Sequence, residues 1–399
     1  MIGDGWSEDR PRPSQARPAQ ERVRVAIVTG SRADYGLLRP IMRAVAAREE
    51  LELLVVAAGS HMIQPALTFR DVKHDFDVAD SVPMQVAGRT GRWEDVAALG
   101  AGIARFGRSF DRLGARWCVV LGDRIEALAA ASAASVGGIA LAHVHGGDRA
   151  EGVADEAMRH AITKLAHVHF PATPTSAERI VRMGEPAAHV HTVGSSSIDE
   201  LRGVVAMDDE NARELGDPAC VVLMHPIGRH AEAEELAASE VISAARVRFG
   251  TRVLLMHPNH DPGRQGIVRA IEHASSRDGL RAIEHLPRSR FIALLKRLAE
   301  RGGLLIGNSS AALIEAAALR LPVVDIGARQ GGRERPASVV HIEHERSEDV
   351  ARAIDAALAI DRATIAHPYG DGRTGERIAA ILSRTDPGDT RLLRKRCTY

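Results

Sequence analysis

Aromatic residues make up only 3% of this 399-residue chain, and it has just three cysteines. Cys118, Cys220 and Cys397 stand far apart and in no metal-like spacing. That excludes a disulfide-stapled scaffold and a structural zinc centre, and it is what a reducing cytoplasm leads one to expect. No apolar run reaches ten residues, so no transmembrane helix is expected. Residues 1–21 are polar and rich in Pro, Arg and Glu, which reads as a disordered extension and not as a secretory signal. Neither sign of charge is in excess: 52 basic residues face 52 acidic ones, so no global field recruits nucleic acid or a membrane surface. An anionic ligand must therefore be met by local clusters.

What the chain does have is length and alternation. At 399 residues it exceeds one ordinary core, and two domains are expected. Short apolar runs, "VRVAIVT", "LELLVVAAG", "WCVVLGD", "IALAHVHGG", "HVHFPAT" and "HVHTVGSS", alternate with helical patterns at 36–48, 124–137, 153–168 and 175–184. After a polar stretch at 202–219 the pattern restarts with "CVVLMHPIG", "TRVLLMHPNHD", "GLRAIEHLP", "GGLLIGNSS" and "PVVDIG". Between and after these lie helices at 231–249, 263–277, 288–300, 311–319 and 347–359. Such alternation predicts parallel βα units, hence an α/β fold of two facing Rossmann-like domains with a cleft between their strand ends. The expected divisions are an extension (1–21), a first domain (22–203), a second domain (204–370), a returning helix (371–385) and a basic tail (386–399). The tail, "RLLRKRCTY", reads as loose and solvated, not as an anion site.

Chemistry gathers at the strand ends. "VTGSRADYGLL" turns from strand to helix without the spaced glycines of a dinucleotide site, carrying Arg32, Asp34 and Tyr35 instead. "VLGDRIEAL" places Asp123 and Arg124 at a second turn. "AHVHGGDRAEGVADEAMRHAITKLAH" collects His143, His145, Asp148, Glu151, Asp155, Glu156, Arg159 and His160 within 18 positions. Carboxylates beside arginines at a sheet's carboxyl edge suit proton transfer, although Asp155 and Arg159 also fit a simple i,i+4 surface pair. His143 and His145 would share a face if both lay in the strand, as would His167 and His169. No ligand closes that pair at a zinc spacing, so no metal is called for.

The second half offers anion-binding chemistry. "LLIGNSSAALIEAAALRLPVV" ends a strand at Gly307 and opens a helix with Asn308, Ser309 and Ser310, where backbone N–H groups favour phosphate. Ser309 serves equally well as a helix cap. Glu315, further along, suits a ribose diol. Arg329, Arg333 and Arg335 lie in the glycine-rich "DIGARQGGRERP", a composition suited to a diphosphate. His225, His257 and Asn259 occupy "MHP" turns at strand ends; His225 is the catalytic candidate and a structural turn histidine the alternative.

Taken in order, "GSRADYG", "GDRIEAL", "HVHGGD", "DEAMRHAITKLAHVHF", "HPNHD", "GNSS" with Glu315 and "GARQGGRE" resemble the UDP-N-acetylglucosamine 2-epimerase family over residues 27–335. They are most similar to its hydrolysing branch, because the first turn is "GSRADYG" where the non-hydrolysing branch usually has G-T-R-P-E. "AGSHMIQPALTF" likewise replaces the Gln-His-Arg stretch of that branch. The resemblance implies a GT-B fold and a UDP-sugar substrate with no cofactor. It also implies loss of UDP through a 2-acetamidoglucal, addition of water, release of the free 2-epimer, and association into dimers or tetramers. Residue by residue, it implies acid–base roles for Asp123, Asp148, Asp155 and Glu156, sugar contact by Arg159, and help from His225 at the diphosphate end. Ser309, Ser310 and Glu315 match the UDP set, Arg32 and Arg329 the diphosphate-side arginines, with Arg124, Asn259 and Arg333 beside them. His145 stands where some relatives have glutamate, and neither it nor His160 is assigned a role. Asp325 and Asp148 depart from the usual asparagine and glutamate, which points toward a modified sugar. A non-hydrolysing epimerase, a GT-B glycosyltransferase and a non-catalytic UDP-sugar sensor are the competing expectations.

Overall fold

The computed structural model describes residues 22–63, 68–89, 91–149, 156–259 and 263–398. The extension at 1–21 and Asp155 lie outside the described residues.

Six strands build the first sheet: β1 (Val23–Thr29), β2 (Leu51–Ala58), β3 (Val78–Val82), β4 (Trp117–Leu121), β5 (Ala140–Val144) and β6 (Val168–Phe170). They pair in parallel in the order β3-β2-β1-β4-β5-β6. Six more build the second: β7 (Cys220–Leu223), β8 (Val253–Met256), β9 (Arg281–Ile283), β10 (Leu304–Gly307), β11 (Val323–Ile326) and β12 (Val339–Ile342). Their order, β12-β11-β10-β7-β8-β9, is also wholly parallel. Counted from its own first strand, each sheet runs 3-2-1-4-5-6, the doubly wound order with a reversal beside the first strand. Central strands read as unbroken apolar runs because helices cover both faces; every residue of β4 and β5 is buried. Val25, Ile27, Leu38 and Trp117 pack on one face of the first sheet, and Ala26, Val28, Phe106 and Phe110 on the other. Each fully buried side chain of this size contributes about 1.5–3 kcal/mol. A smaller cluster of Ala172, Ile198, Leu201, Ile292, Leu313, Ile314 and Tyr369 joins the two halves.

Several expectations change. The 22-residue helix Arg92–Leu113 and strand β3 were not foreseen. Glycines 100, 102 and 107 dilute the helix's apolar period, and β3 is a short edge strand, VADSV, exposed at Ala79 and Ser81. β12, the edge strand of the second sheet, was likewise not foreseen. "HVHTVGSS" forms only an isolated bridge, His169 to Val190, before a 3₁₀ turn at Ser196–Gly203. The helix expected at 36–48 begins earlier, at Arg32, because Ser31 and Asp34 make a reciprocal capping box. The one expected at 311–319 divides into Ser310–Leu313 and Glu315–Ala318.

The helix Thr374–Arg384 lies on helix Arg32–Ala46, with Ile378 and Leu382 in the first domain's core. The basic tail is docked, not loose. Leu392 is buried, Thr398 N–H donates to the Gly184 carbonyl at 3.1 Å, and Lys395 donates to the Thr163, Lys164 and Ala166 carbonyls at 3.2, 2.5 and 2.6 Å. Those carbonyls end helix Glu156–Leu165, so the ammonium serves as its C-terminal cap.

Candidate active site

The reversal of strand order leaves a crevice beyond β1 and β4 in one sheet and beyond β7 and β10 in the other. Between them lies a cavity of about 300 Å³. The first half lines it with Asp123, Arg124, His145, Asp148, Arg159, Ser195 and Ser197; the second supplies Ser310, Glu315, Arg329, Gln330 and Arg333.

The first wall is a chain of charge-assisted hydrogen bonds. Asp123 follows β4 through Gly122 and forms an ion pair with Arg159, which is 5% exposed. Arg159 also donates to the Asp148 carbonyl at 2.8 Å. The Asp148 carboxylate accepts from His145 Nδ1 at 2.8 Å and from the Ser176 hydroxyl at 2.8 Å. Burial alone would raise its pKa. The bond and charge of His145, with the nearby guanidiniums of Arg333 and Arg159, instead hold it well below the usual carboxylate range. On its other side, Nε2 of His145 hydrogen-bonds the Ser195 hydroxyl, 3.2 Å away, and Ser197 Oγ stands 3.0 Å further on.

His145 adopts φ +62°, which breaks the strand alternation and separates its ring from that of His143. The two do not share a face as a continued strand would require. His143 donates Nε2–H to the Gly122 carbonyl at 2.8 Å and meets the Thr163 hydroxyl at 3.1 Å. Burial lowers its pKa to about 3, so the neutral ring pins the Asp123 turn from beneath.

A glycine and an amide set the strand ends of the second wall. Gly307 has φ +152°, and a Cβ there would strike the Leu223 carbonyl, so β10 can run close to β7 only with glycine. The Asn308 side chain then joins the two strand ends: Oδ1 accepts His225 N–H at 2.7 Å and Nδ2 donates to the His225 carbonyl at 2.8 Å. The Asn308 carbonyl accepts from Arg329 at 3.2 Å and Gln330 at 2.9 Å, which anchors the arginine loop. That loop also reaches across the cleft. Thr175 donates to Glu334 at 2.7 Å and Arg179 to the Gly332 carbonyl at 3.2 Å, while Tyr369, from the same half as the loop, donates to the Glu334 carbonyl at 2.7 Å. Arg288 likewise links Glu315, at 3.1 Å, to the Ser197 carbonyl, at 2.6 Å. Asp325, at the end of β11, is buried and accepts from Arg335 at 3.0 Å and His341 at 2.9 Å.

Other candidates, Asp34 excepted, stand apart from the cavity lining. Ser309 is buried with its hydroxyl accepting Ala311 N–H at 3.4 Å, a cap in geometry. His225 and Asn259 lie behind the wall. Asn259 N–H donates to His225 Nδ1 at 3.1 Å, and burial, then the Arg329 charge, lowers the imidazole to about 3. Glu156 and His160 pair with each other at 3.4 Å and Glu156 with Arg149 at 3.6 Å, outside the cavity lining. Arg32 is exposed and bonds His285 of the opposite half, 3.0 Å from its Nδ1. Asp34 shapes its turn, accepting Gly30 N–H at 2.9 Å and Ser31 N–H at 3.0 Å, and burial raises it to about 6. Ser195, Ser197, Gln330 and Arg288 were not singled out from the sequence. The "GSSSID" run after the last apolar segment was the available signal for the serines.

Two doubly wound domains enclosing one polar cavity define a sugar-nucleotide type of architecture, the GT-B arrangement. The family model for UDP-N-acetylglucosamine 2-epimerase matches residues 43–383, and the chain belongs to that family. It is 33% identical over 385 residues to the UDP-N,N'-diacetylbacillosamine 2-epimerase (hydrolyzing) of Legionella pneumophila, covering 94% of this chain and 99% of that one. It is 28% identical over 376 residues to a UDP-N-acetylglucosamine 2-epimerase of Neisseria meningitidis, covering 91% and 96%. In fold it matches the Neisseria meningitidis UDP-GlcNAc 2-epimerase structure bound to UDP-GlcNAc with a TM-score of 0.75, at 16% identity over 91% of this chain and 100% of the other.

Proposed function

We propose that the protein is a hydrolysing 2-epimerase that converts a UDP-2-acetamido sugar and water to UDP and the free 2-epimer. The observation that carries this reading is one cavity with proton-transfer groups on one wall and hydroxyl and guanidinium groups on the other. Asp123 and the His145–Asp148 pair are the acid–base groups. One takes the C2 proton as the C1–O bond breaks and UDP leaves with the electron pair; the other returns a proton to the opposite face of C2 while water supplies hydroxide to C1. Both oxygens of Asp148 are engaged, so it works through the imidazole it orients. Arg329 and Arg333, with Ser310, meet the diphosphate and the charge that builds on it as it departs. Glu315 takes the ribose. Arg159 holds and aims Asp123, and a neutral His225 braces the diphosphate side through Asn308. Asp155 is kept in this reading as a further acid–base group, and so is association into dimers or tetramers.

The hydrolysing relative from Legionella supports release of a free sugar, and its printed substrate favours a diacetamido sugar beside N-acetylglucosamine. Incubation with each UDP-sugar in deuterated water, followed by NMR, tests both points. The expected result is UDP release with deuterium at C2 of the free 2-epimer. A product that stays UDP-linked would assign the non-hydrolysing reaction, and transfer without C2 exchange a glycosyltransferase.

A further inference from the structure

The docked tail builds a second basic cavity, of about 470 Å³, that the epimerase reading does not use. It lies by His167, which precedes β6, and so sits at the amino end of the first sheet, opposite the edge that carries the active site. Its lining includes His189, Arg391, Arg394, Lys395 and Arg396. The acid among the lining residues is Glu185, and that carboxylate is already matched. Lys164 stands 2.6 Å from it, Lys395 2.7 Å and His169 3.1 Å. Arg391 is held by Asp389 at 2.9 Å. Arg394 and Arg396 pair with no carboxylate among the described residues. The His167 ring is engaged, its Nδ1 accepting Leu141 N–H at 3.0 Å, but two guanidiniums around a hollow whose one acid is spoken for leave positive charge without a counter-charge.

We propose that this cavity binds a soluble phosphate monoester or diphosphate. Guanidinium forks match phosphoryl oxygens. The volume exceeds what inorganic phosphate fills, so the ligand carries an organic part of about mononucleotide size, resting on Pro186 and Leu392. Lys395 belongs both to this cavity and to the cap of helix Glu156–Leu165, so an occupant that meets Lys395 touches the cap of the helix that carries Arg159.

Calorimetric titration of the full chain with AMP and with inorganic pyrophosphate tests the site, comparing wild type with Arg394→Gln/Arg396→Gln and with Arg329→Gln/Arg333→Gln. The expected result is a binding event for each probe that survives the Arg329/Arg333 change. That event is weakened roughly tenfold or more by the Arg394/Arg396 change, which removes two charge-assisted contacts. Titrations of the tail variant that superimpose on wild type overturn the proposal. A second readout needs no variant: AMP should slow trypsin cleavage at Arg394–Arg396 in wild type, and unaltered cleavage counts against the site. Binding to phosphatidylglycerol vesicles without binding of either soluble probe would assign the segment to a lipid surface and also overturn it.

Discussion

The two switch-point crevices have the same strand order and do different work. Beyond β1 and β4 the backbone is held by ions: Asp123 with Arg159, Asp148 with His145, Asp34 with the first turn of its helix. Beyond β7 and β10 it is held by an amide, since Asn308 bonds both backbone groups of His225 and carries the loop that presents Arg329. Topology supplies a crevice; it does not choose the chemistry. A wall that buries carboxylates is helped by cations inside it. Strand ends behind a wall that is to receive a diphosphate are better braced by a neutral amide, which does not compete for the charge that wall offers.

If that division is right, damage to the two walls should read out differently. Asp123→Asn keeps a hydrogen-bond acceptor for Arg159 but removes the proton-transfer group, so turnover measured by UDP release should fall about 10³-fold while UDP affinity holds. Equal losses in turnover and UDP affinity would break the comparison. Away from both walls, Glu185→Gln should destabilise the protein by about 3 kcal/mol, because it leaves Lys164 and Lys395 around a neutral amide. Burial alone would raise the Glu185 pKa, but His169, Lys164 and Lys395 lower it from 4.5 to about 2. A depressed carboxylate stabilises the fold above its unfolded pKa. The wild-type advantage should therefore be complete above pH 4.5 and disappear as pH falls through about 2, which chemical denaturation across that window would show.

Asn308→Ala removes both bonds to the His225 backbone and should cost about 2 kcal/mol in denaturant unfolding, with weaker UDP binding as its functional trace. Unchanged UDP binding would mean that the amide only braces the strands. The smallest effect is expected at the cleft mouth. Arg32 is exposed and bonded to His285, so Arg32→Ala should change kcat/KM by less than about fivefold, as exposed contacts typically do. A loss of a hundredfold would restore Arg32 to the diphosphate.

Much of the fold was legible because parallel strands buried on both faces leave unbroken apolar runs, and "WCVVL" and "ALAHV" need no context to be recognised. Edge strands were not. β3 is half solvated and β12 partly so, and neither carries the same signature. Ser309 shows the limit at a single residue: a serine at a helix start suits a cap and a phosphate contact equally well, and here its hydroxyl accepts Ala311 N–H.

The order of βα units, the turn residues and the cluster of acids between positions 123 and 159 follow from the chain itself, since burial period and local capping are short-range properties. Which polar groups meet was decided only in three dimensions. His145 bonds Ser195 fifty positions away, Arg32 bonds His285 across 253, and the tail's Lys395 caps a helix more than 200 residues earlier. A hydrogen bond reaches only about 3 Å, so such pairings depend on how the two sheets and the returning tail are placed, which no local pattern encodes.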